Sequence, residues 1–190
     1  MTKSIMLVGV GGQGTILASK LLTTGLMEAG YDVKMSEIHG MSQRGGDVSS
    51  HVRYGKEVQS PVIEIGGADI LVSFEIMEAL RSLQYLKPTG KVVVNDFKIP
   101  SAPILSGKVD YPEGILEILK TSAHTTVINA SGIAEKIGNP KTMNIVLLGA
   151  LVKAMKLTDI DWEKIIRDNV KPKFVEDNIK ALKAGMDAIN

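Results

Sequence analysis

Ile5-Met6-Leu7-Val8-Gly9-Val10-Gly11-Gly12-Gln13-Gly14 is a short apolar run that ends in a glycine-rich turn. A continuous apolar run of this length suits a strand buried on both faces of a parallel sheet. Beyond the turn, Ile16, Leu17, Leu21, Leu22 and Leu26 recur at helical spacing, and Gly30 follows as a C-cap signal. Residues 32–36 then read as a second strand, which completes a βαβ unit. Gly9-x-Gly11-x-x-Gly14 has the spacing of a phosphate-binding turn. The first glycine permits a sharp exit from the strand, the second lets backbone approach a phosphate, and the third lets helix and strand pack closely. The helix N-terminus adds free N–H groups and partial positive charge. The competing reading is a turn whose glycines serve close packing alone.

The rest of the chain keeps an alternating rhythm. Ala68–Phe74 reads as a strand, Glu75–Leu86 as a helix ended by Pro88 and Gly90, and Lys91–Asn95 as a strand. Residues 100–112 are irregular, with a short strand near Ile104. A helix over 113–122, a strand over 125–129 and a helix over 131–137 with Ser131 as N-cap follow. The remainder is helical: 144–155, a helix opened by Asp161 and Trp162, and a last one with Ile179, Leu182, Met186 and Ile189 on one stripe. Val48–Tyr54, a turn at Gly55-Lys56 and a return strand over 57–60 make a β-hairpin insertion. The expected fold is α/β, Rossmann-like: a mostly parallel sheet flanked by helices, with the hairpin insertion and C-terminal helices over 161–190, in one domain spanning 1–190.

Composition narrows the function. The 190 residues carry a formal net charge of +1 and 4% aromatics, which argues against nucleic acid as a partner. There is no cysteine, so the chain offers no disulfide, no thiol nucleophile and no thiolate for an iron–sulfur cluster. No apolar run reaches the roughly 18 residues needed to span a bilayer, and Met1-Thr2-Lys3-Ser4 lacks signal-peptide character. The expectation is a cytoplasmic chain with no membrane partner. His51 and His124 stand alone, without the spacing of metal ligands, and no metal site is expected.

A second constellation is more specific than the glycine turn. Ser36-Glu37-Ile38-His39-Gly40-Met41-Ser42-Gln43-Arg44-Gly45-Gly46 is the most distinctive stretch, and residues 37–47 have neither helical nor strand periodicity and crowd three glycines among hydrogen-bonding side chains. It reads as a structured loop approaching a ligand or a partner chain. Glu37 is the better candidate for the acid that binds ribose hydroxyls in dinucleotide folds, Asp32 at the start of the strand being less suitable, but Glu37 sits a residue or two beyond the usual position. His39 reads either as a general base or, more simply, as a side chain that orders the loop. Arg44 pairs either with a phosphate or carboxylate of a ligand or with an acid on a partner.

These stretches, with Asn144-Ile145-Val146-Leu147-Leu148-Gly149-Ala150, resemble the gamma-type subunit of ferredoxin-dependent 2-oxoacid oxidoreductases, closest to the beta subunit of the indolepyruvate branch. The resemblance implies an enzyme that oxidatively decarboxylates a 2-oxoacid, here an aryl pyruvate, to an acyl-coenzyme A and passes electrons to ferredoxin. It also implies that thiamine diphosphate and the clusters lie in a large alpha subunit, that this chain is inactive alone, and that it contributes no catalytic residue. Coenzyme A is then a candidate ligand. Gly9, Gly11, Gly12, Gln13 and Gly14 would hold it on one side. Glu37, His39, Gly40, Ser42, Gln43, Arg44 and Gly45 would hold it on the other. The alternative is a free-standing NAD(P)-binding oxidoreductase of the same fold. A ubiquitin-activating type of adenylating enzyme shares the turn, but its catalytic or zinc-binding cysteines are missing here.

Overall fold

The computed structural model describes residues 2–40 and 45–189. Its sheet has six strands: β1 (Lys3–Val10), β2 (Asp32–His39), β3 (Asp47–Gly55), β4 (Ala68–Ser73), β5 (Leu86–Asn95) and β6 (His124–Ile128). Eight helices accompany them among the described residues: α1 (Thr15–Glu28), α2 (Ile76–Ser82), α3 (Ala102–Leu105), α4 (Ile115–Ser122), α5 (Ala130–Ile137), α6 (Met143–Ala154), α7 (Trp162–Asn169) and α8 (Val175–Asp187). The strand order is β2-β3-β1-β4-β5-β6. The pairs β1–β4, β4–β5 and β5–β6 are parallel. The Rossmann-like α/β expectation therefore holds for the body of the sheet.

Alternation along β1 divides the core. Ile5 and Leu7 face one side, where they join Leu21 and Leu22 of α1 and the apolar helices α6 and α8. Met6 and Val8 face the other, against Ile76 of α2 and Ile115 and Leu119 of α4. Both faces of β1 and β4 are dry, which is why these strands read as unbroken apolar runs.

The left half of the sheet departs from expectation. β2 does not lie beside β1. β3 sits between them and runs antiparallel to both, with Met6 opposite His51 and Ser36 opposite His51 on the far side. The stretch read as the first arm of a hairpin is thus an inner strand. It earns that place because it is buried on both faces: Val48, Val52 and Tyr54 toward α1, His51 toward α2. The return strand over 57–60 does not form. That segment crosses the sheet as irregular chain, held where Val58 N–H donates to Asp32 Oδ2 at 2.8 Å and Arg53 donates to the Ser60 carbonyl at 3.0 Å. The short strand near Ile104 is instead the helical turn α3, with Pro103 in its first turn. The N-cap of α5 is Asn129, whose side chain accepts from Gly132 N–H at 2.8 Å, and not Ser131. The helix read over 75–86 ends at Ser82 and tightens into a single 3₁₀ turn over 83–85.

His51 has a structural task. It is buried, its Nδ1 accepts from Ile63 N–H at 3.1 Å, and its ring meets the Tyr85 ring edge-on. Burial lowers its pKa from the ordinary 6.5, so the neutral ring belongs to the fold. A depressed folded-state pKa contributes stability that is present above pH 6.5 and is lost as pH falls through the folded value. Asp47, Glu78, Arg81 and Tyr85 share its cleft. Glu78, raised mainly by its own burial, acts with the opposite sign, gaining stability as pH falls. Wild type should therefore lose melting temperature below pH 6.5 more steeply than His51→Asn, whose amide oxygen can still accept from Ile63. Parallel pH profiles for the two proteins would refute this role.

Candidate functional site

The parallel strands end along one edge, where β1 and β4 send their helices in opposite directions across the sheet. Such a switch point opens a crevice at the carboxyl ends of the strands. The glycine turn occupies it. Gly14 is in the left-handed region at φ 80°, and a Cβ there would lie 2.6 Å from Asn144 Nδ2, so only glycine fits. Asn144 Nδ2 donates to the Gly14 carbonyl at 3.1 Å and thereby ties the start of α1 to the start of α6. Gln13 clamps the turn: its Oε1 accepts from Val10 N–H at 2.8 Å and its Nε2 donates to the Phe74 carbonyl, at the end of β4, at 2.9 Å.

The turn also carries the root of the second constellation. Gly11 N–H donates to the Gly46 carbonyl at 2.9 Å, and Gly40 N–H donates to the Asp47 carbonyl at 2.8 Å. Asp47 in turn lies opposite Val10 in the β1–β3 register. Gly9, Gly11, Gly12, Gln13, Gly14, Gly40 and Gly45 thus lie on or beside one turn. Ser42, Gln43 and Arg44 lie outside the described residues.

Glu37 and His39 are placed differently. Both lie on β2, two strands from β1. Glu37 Oε1 accepts from the buried Ser19 hydroxyl of α1 at 3.1 Å, and His39 Nε2 stands 3.7 Å from Glu37 Oε2. Inserting β3 moves the end of β2 away from the turn, so Glu37 anchors the edge strand to α1 and does not sit on the neighbouring strand end where a ribose acid belongs.

A cleft of about 530 Å³ opens on the far side of the turn. Gly12, Gln13 and Gly14 form one wall. Ser131, in the first turn of α5, and Lys141 and Met143, at the start of α6, form the other, and Phe97 stands at the rim. Three helix N-termini therefore point toward one space, with Lys141 as its cation and Glu135 as its acid. The Gly11 N–H is committed to Gly46, but the amides of Gly12, Gly14 and Thr15 have no hydrogen-bond partner among the described residues. Asn144 Oδ1 is buried without a hydrogen-bond partner among the described residues. Free amides and a lysine favour an anionic group.

Further residues of the site were absent from the sequence-based set. Asn95, fully buried at the end of β5, donates to the Phe74 carbonyl at 3.2 Å and accepts from Ala130 N–H at 3.0 Å, which sets the start of α5. Glu75, also buried, caps α2 by accepting from Glu78 N–H at 2.9 Å; its other oxygen takes Ile99 N–H at 3.2 Å and the Tyr111 hydroxyl. Burial, and then the hydrogen bond to Glu75, push the Tyr111 hydroxyl far above its ordinary pKa, so it stays a donor. The available signal was positional: each is a polar residue immediately after an apolar strand run, where a parallel sheet places its site.

No group of three or more His, Cys, Asp or Glu side chains suited to a metal occurs among the described residues, and no cysteine occurs in the sequence. A thiolate-held cluster does not fit this chain. What the fold and site define is an α/β domain with an open crevice beside the glycine turn. Residues 4–188 match the family model described as pyruvate ferredoxin/flavodoxin oxidoreductase, and the chain belongs to that family. It is 40% identical to an indolepyruvate oxidoreductase subunit IorB of Archaeoglobus fulgidus, over 97% of this chain and 94% of that one. Among solved structures it resembles the gamma subunit of a keto/oxoacid ferredoxin oxidoreductase from Geobacter sulfurreducens, with TM-score 0.73, 26% identity, and coverage of 98% and 97%. The same fold, at 19% identity and TM-score 0.73, makes up 31% of a longer chain in a 2-oxoglutarate:ferredoxin oxidoreductase from Magnetococcus marinus whose structure contains 2-oxoglutarate, coenzyme A and succinyl-CoA. Neither family nor relatives support a free-standing NAD(P)-dependent oxidoreductase.

Proposed function

We propose that this chain is the small, cluster-free subunit of a ferredoxin-linked oxidoreductase that converts aryl pyruvates such as indolepyruvate to acyl-coenzyme A thioesters. The observation that carries the reading is 40% identity, over 97% of this chain, with an indolepyruvate oxidoreductase subunit, joined to an open crevice at the glycine turn. A large alpha subunit supplies thiamine diphosphate, which stabilises the carbanion left by decarboxylation, and the iron–sulfur clusters that carry electrons to ferredoxin. The complex works in the cytoplasm; no helix among the described residues is long and apolar enough to cross a membrane.

This chain's own part is to bind and orient. The free amides of Gly12, Gly14 and Thr15, with Lys141, hold a phosphate of coenzyme A, and Ser131 lends a hydroxyl. Ser42, Gln43 and Arg44, which lie outside the described residues, are assigned to the same ligand by the family resemblance alone. Gln13 and Asn95 work one layer down, by fixing the turn and the start of α5. A second reading draws support from Gly11 and Gln13, whose polar groups are already used inside the protein: the turn then serves packing alone.

Affinity purification from the native organism tests the main claim. The expected product is a brown complex that reduces ferredoxin in the presence of aryl pyruvate and coenzyme A. A colourless chain recovered alone would refute it. For the ligand, Lys141→Ala and Arg44→Ala should each weaken coenzyme A binding to the complex roughly tenfold, the size expected of one charge-assisted hydrogen bond. Unchanged affinity in both variants would favour the packing reading.

A further inference from the structure

The opposite end of the sheet carries a second charged feature. A cleft of about 470 Å³ lies between the lower ends of β5 and β6 and the C-terminal end of α6. Lys91, His124, Lys153 and Lys156 line it, with Asp159 as its only acid among the described residues. None of the three lysines forms an ion pair with a described residue, whereas Lys3, Lys34, Lys87, Lys164 and Lys183 all do.

The ordinary explanation is compensation of the α6 C-terminus, which carries about half a negative charge. Lys91 already answers that need, since its Nζ donates to the Ala154 carbonyl at 3.4 Å. Even with Asp159 counted, a surplus of positive charge remains.

Backbone geometry points the same way. α1, α5 and α6 all end in the same paired-bond motif. Gly30 N–H donates to Met27 O while Tyr31 N–H donates to Leu26 O; Gly138 and Asn139, and then Lys156 and Leu157, repeat the pattern. The motif needs a left-handed residue at its centre, and glycine is the usual occupant. Gly30 and Gly138 meet that need at φ 85° and 93°. Lys156 takes it at φ 58°, the only non-glycine residue with positive φ among the described residues. A side chain kept at a position where glycine is easier indicates that the side chain is used.

We infer that this basal cleft docks an acidic segment of the partner subunit, with Lys91, Lys153 and Lys156 as the charges that meet it. The inference rests on the subunit reading above. A protein segment suits the cleft better than a small anion, because the lysines are exposed on long arms and no buried charged side chain reaches into it. Rim charges of this kind act through association rate and salt dependence.

The test uses the complex reconstituted from its co-purified subunits. Lys156→Gly should have effects of opposite sign: the isolated chain melts about 2–4 °C higher as backbone strain is relieved, while partner affinity falls about threefold at ~50 mM salt. Lys91→Glu/Lys153→Glu should cost at least about tenfold at low salt, with the difference shrinking at ~0.5 M. Unaltered partner affinity in both variants overturns the inference alone. So does binding of inorganic pyrophosphate that these variants abolish while partner affinity stays unchanged. Recovery of no partner at all overturns both the inference and the reading beneath it.

Discussion

Gly149→Ala should lower the melting temperature by about 6–12 °C, the shift that roughly 3 kcal/mol produces in a chain of this size. Helix propensity alone predicts the reverse, a gain of about 1 kcal/mol on replacing a mid-helix glycine by alanine. Packing decides the sign. α6 and α8 touch backbone to backbone: a Cβ on Gly149 would overlap the Leu182 carbonyl oxygen and come within 3.1 Å of Met186 N. The contact is reciprocal, since a Cβ on Gly185 would overlap the Val146 carbonyl and stand 3.0 Å from its Cα. Neither obstacle is a flexible side chain, so relief requires moving a helix. That would open the fully buried layer of Ile145, Leu148 and Leu182. Overpacking against rigid neighbours costs about 1–3 kcal/mol, and separating such a layer adds the loss of buried apolar contact. Thermal unfolding followed by circular dichroism measures the change. A melting temperature at or above wild type would mean the helices separate freely.

Glu75→Ala should cost about 3 kcal/mol and loosen the wall of the crevice. Three donors rely on this carboxylate: Glu78 N–H, Ile99 N–H and the Tyr111 hydroxyl. Losing an N-cap costs about 1 kcal/mol, and each buried donor left unpaired costs about 1–3 kcal/mol unless water reaches it. Ile76 N–H also donates to the Phe97 carbonyl at 3.0 Å, so residues 97–111 hang on the start of α2. Amide exchange at Ile99 should accelerate together with the global loss. Glu75→Gln should recover part of the stability, because one amide oxygen still accepts while the NH₂ meets a donor. Urea denaturation ranks the three proteins. Equal stability of wild type and Glu75→Ala would show that residues 97–111 are held by other contacts.

Both predictions concern residues whose importance the sequence left silent. Gly149 belongs to a stretch that carried the family resemblance, yet nothing local states that a second helix's backbone presses on it. Glu75 looks like an unremarkable first residue of a helix. Its partners Ile99 and Tyr111 are 24 and 36 positions away, and only the folded chain brings them within reach. The same holds for Asn95 and Asn144. Each follows or begins an apolar run, but their partners at Phe74, Ala130 and Gly14 are separated from them by long stretches of chain.

The glycine turn itself was legible, because strand, turn and helix follow one another directly between Lys3 and Glu28 and each leaves a local signature. The motif at Ser36–Gly46 was legible as unusual but not as to its root, the bonds from Gly11 to Gly46 and Gly40 to Asp47. Glu37 shows the limit most clearly. Read along the chain, it stands near the end of the second strand. In the sheet, β3 displaces that strand by one place, and Glu37 turns to Ser19.

By itself, the sequence determined the α/β class, the turn at Gly9–Gly14, the helix end at Gly30, and the inability to hold a thiolate-bound cluster. These follow from residue type and short-range periodicity, which act over one or two turns of backbone. The tertiary structure alone decided the strand order, the crevice shared by α1, α5 and α6, and the buried bonds that brace it. Strand pairing depends on which surfaces find each other after collapse, and a strand buried on both faces signals that it is inside a sheet without saying beside which neighbour.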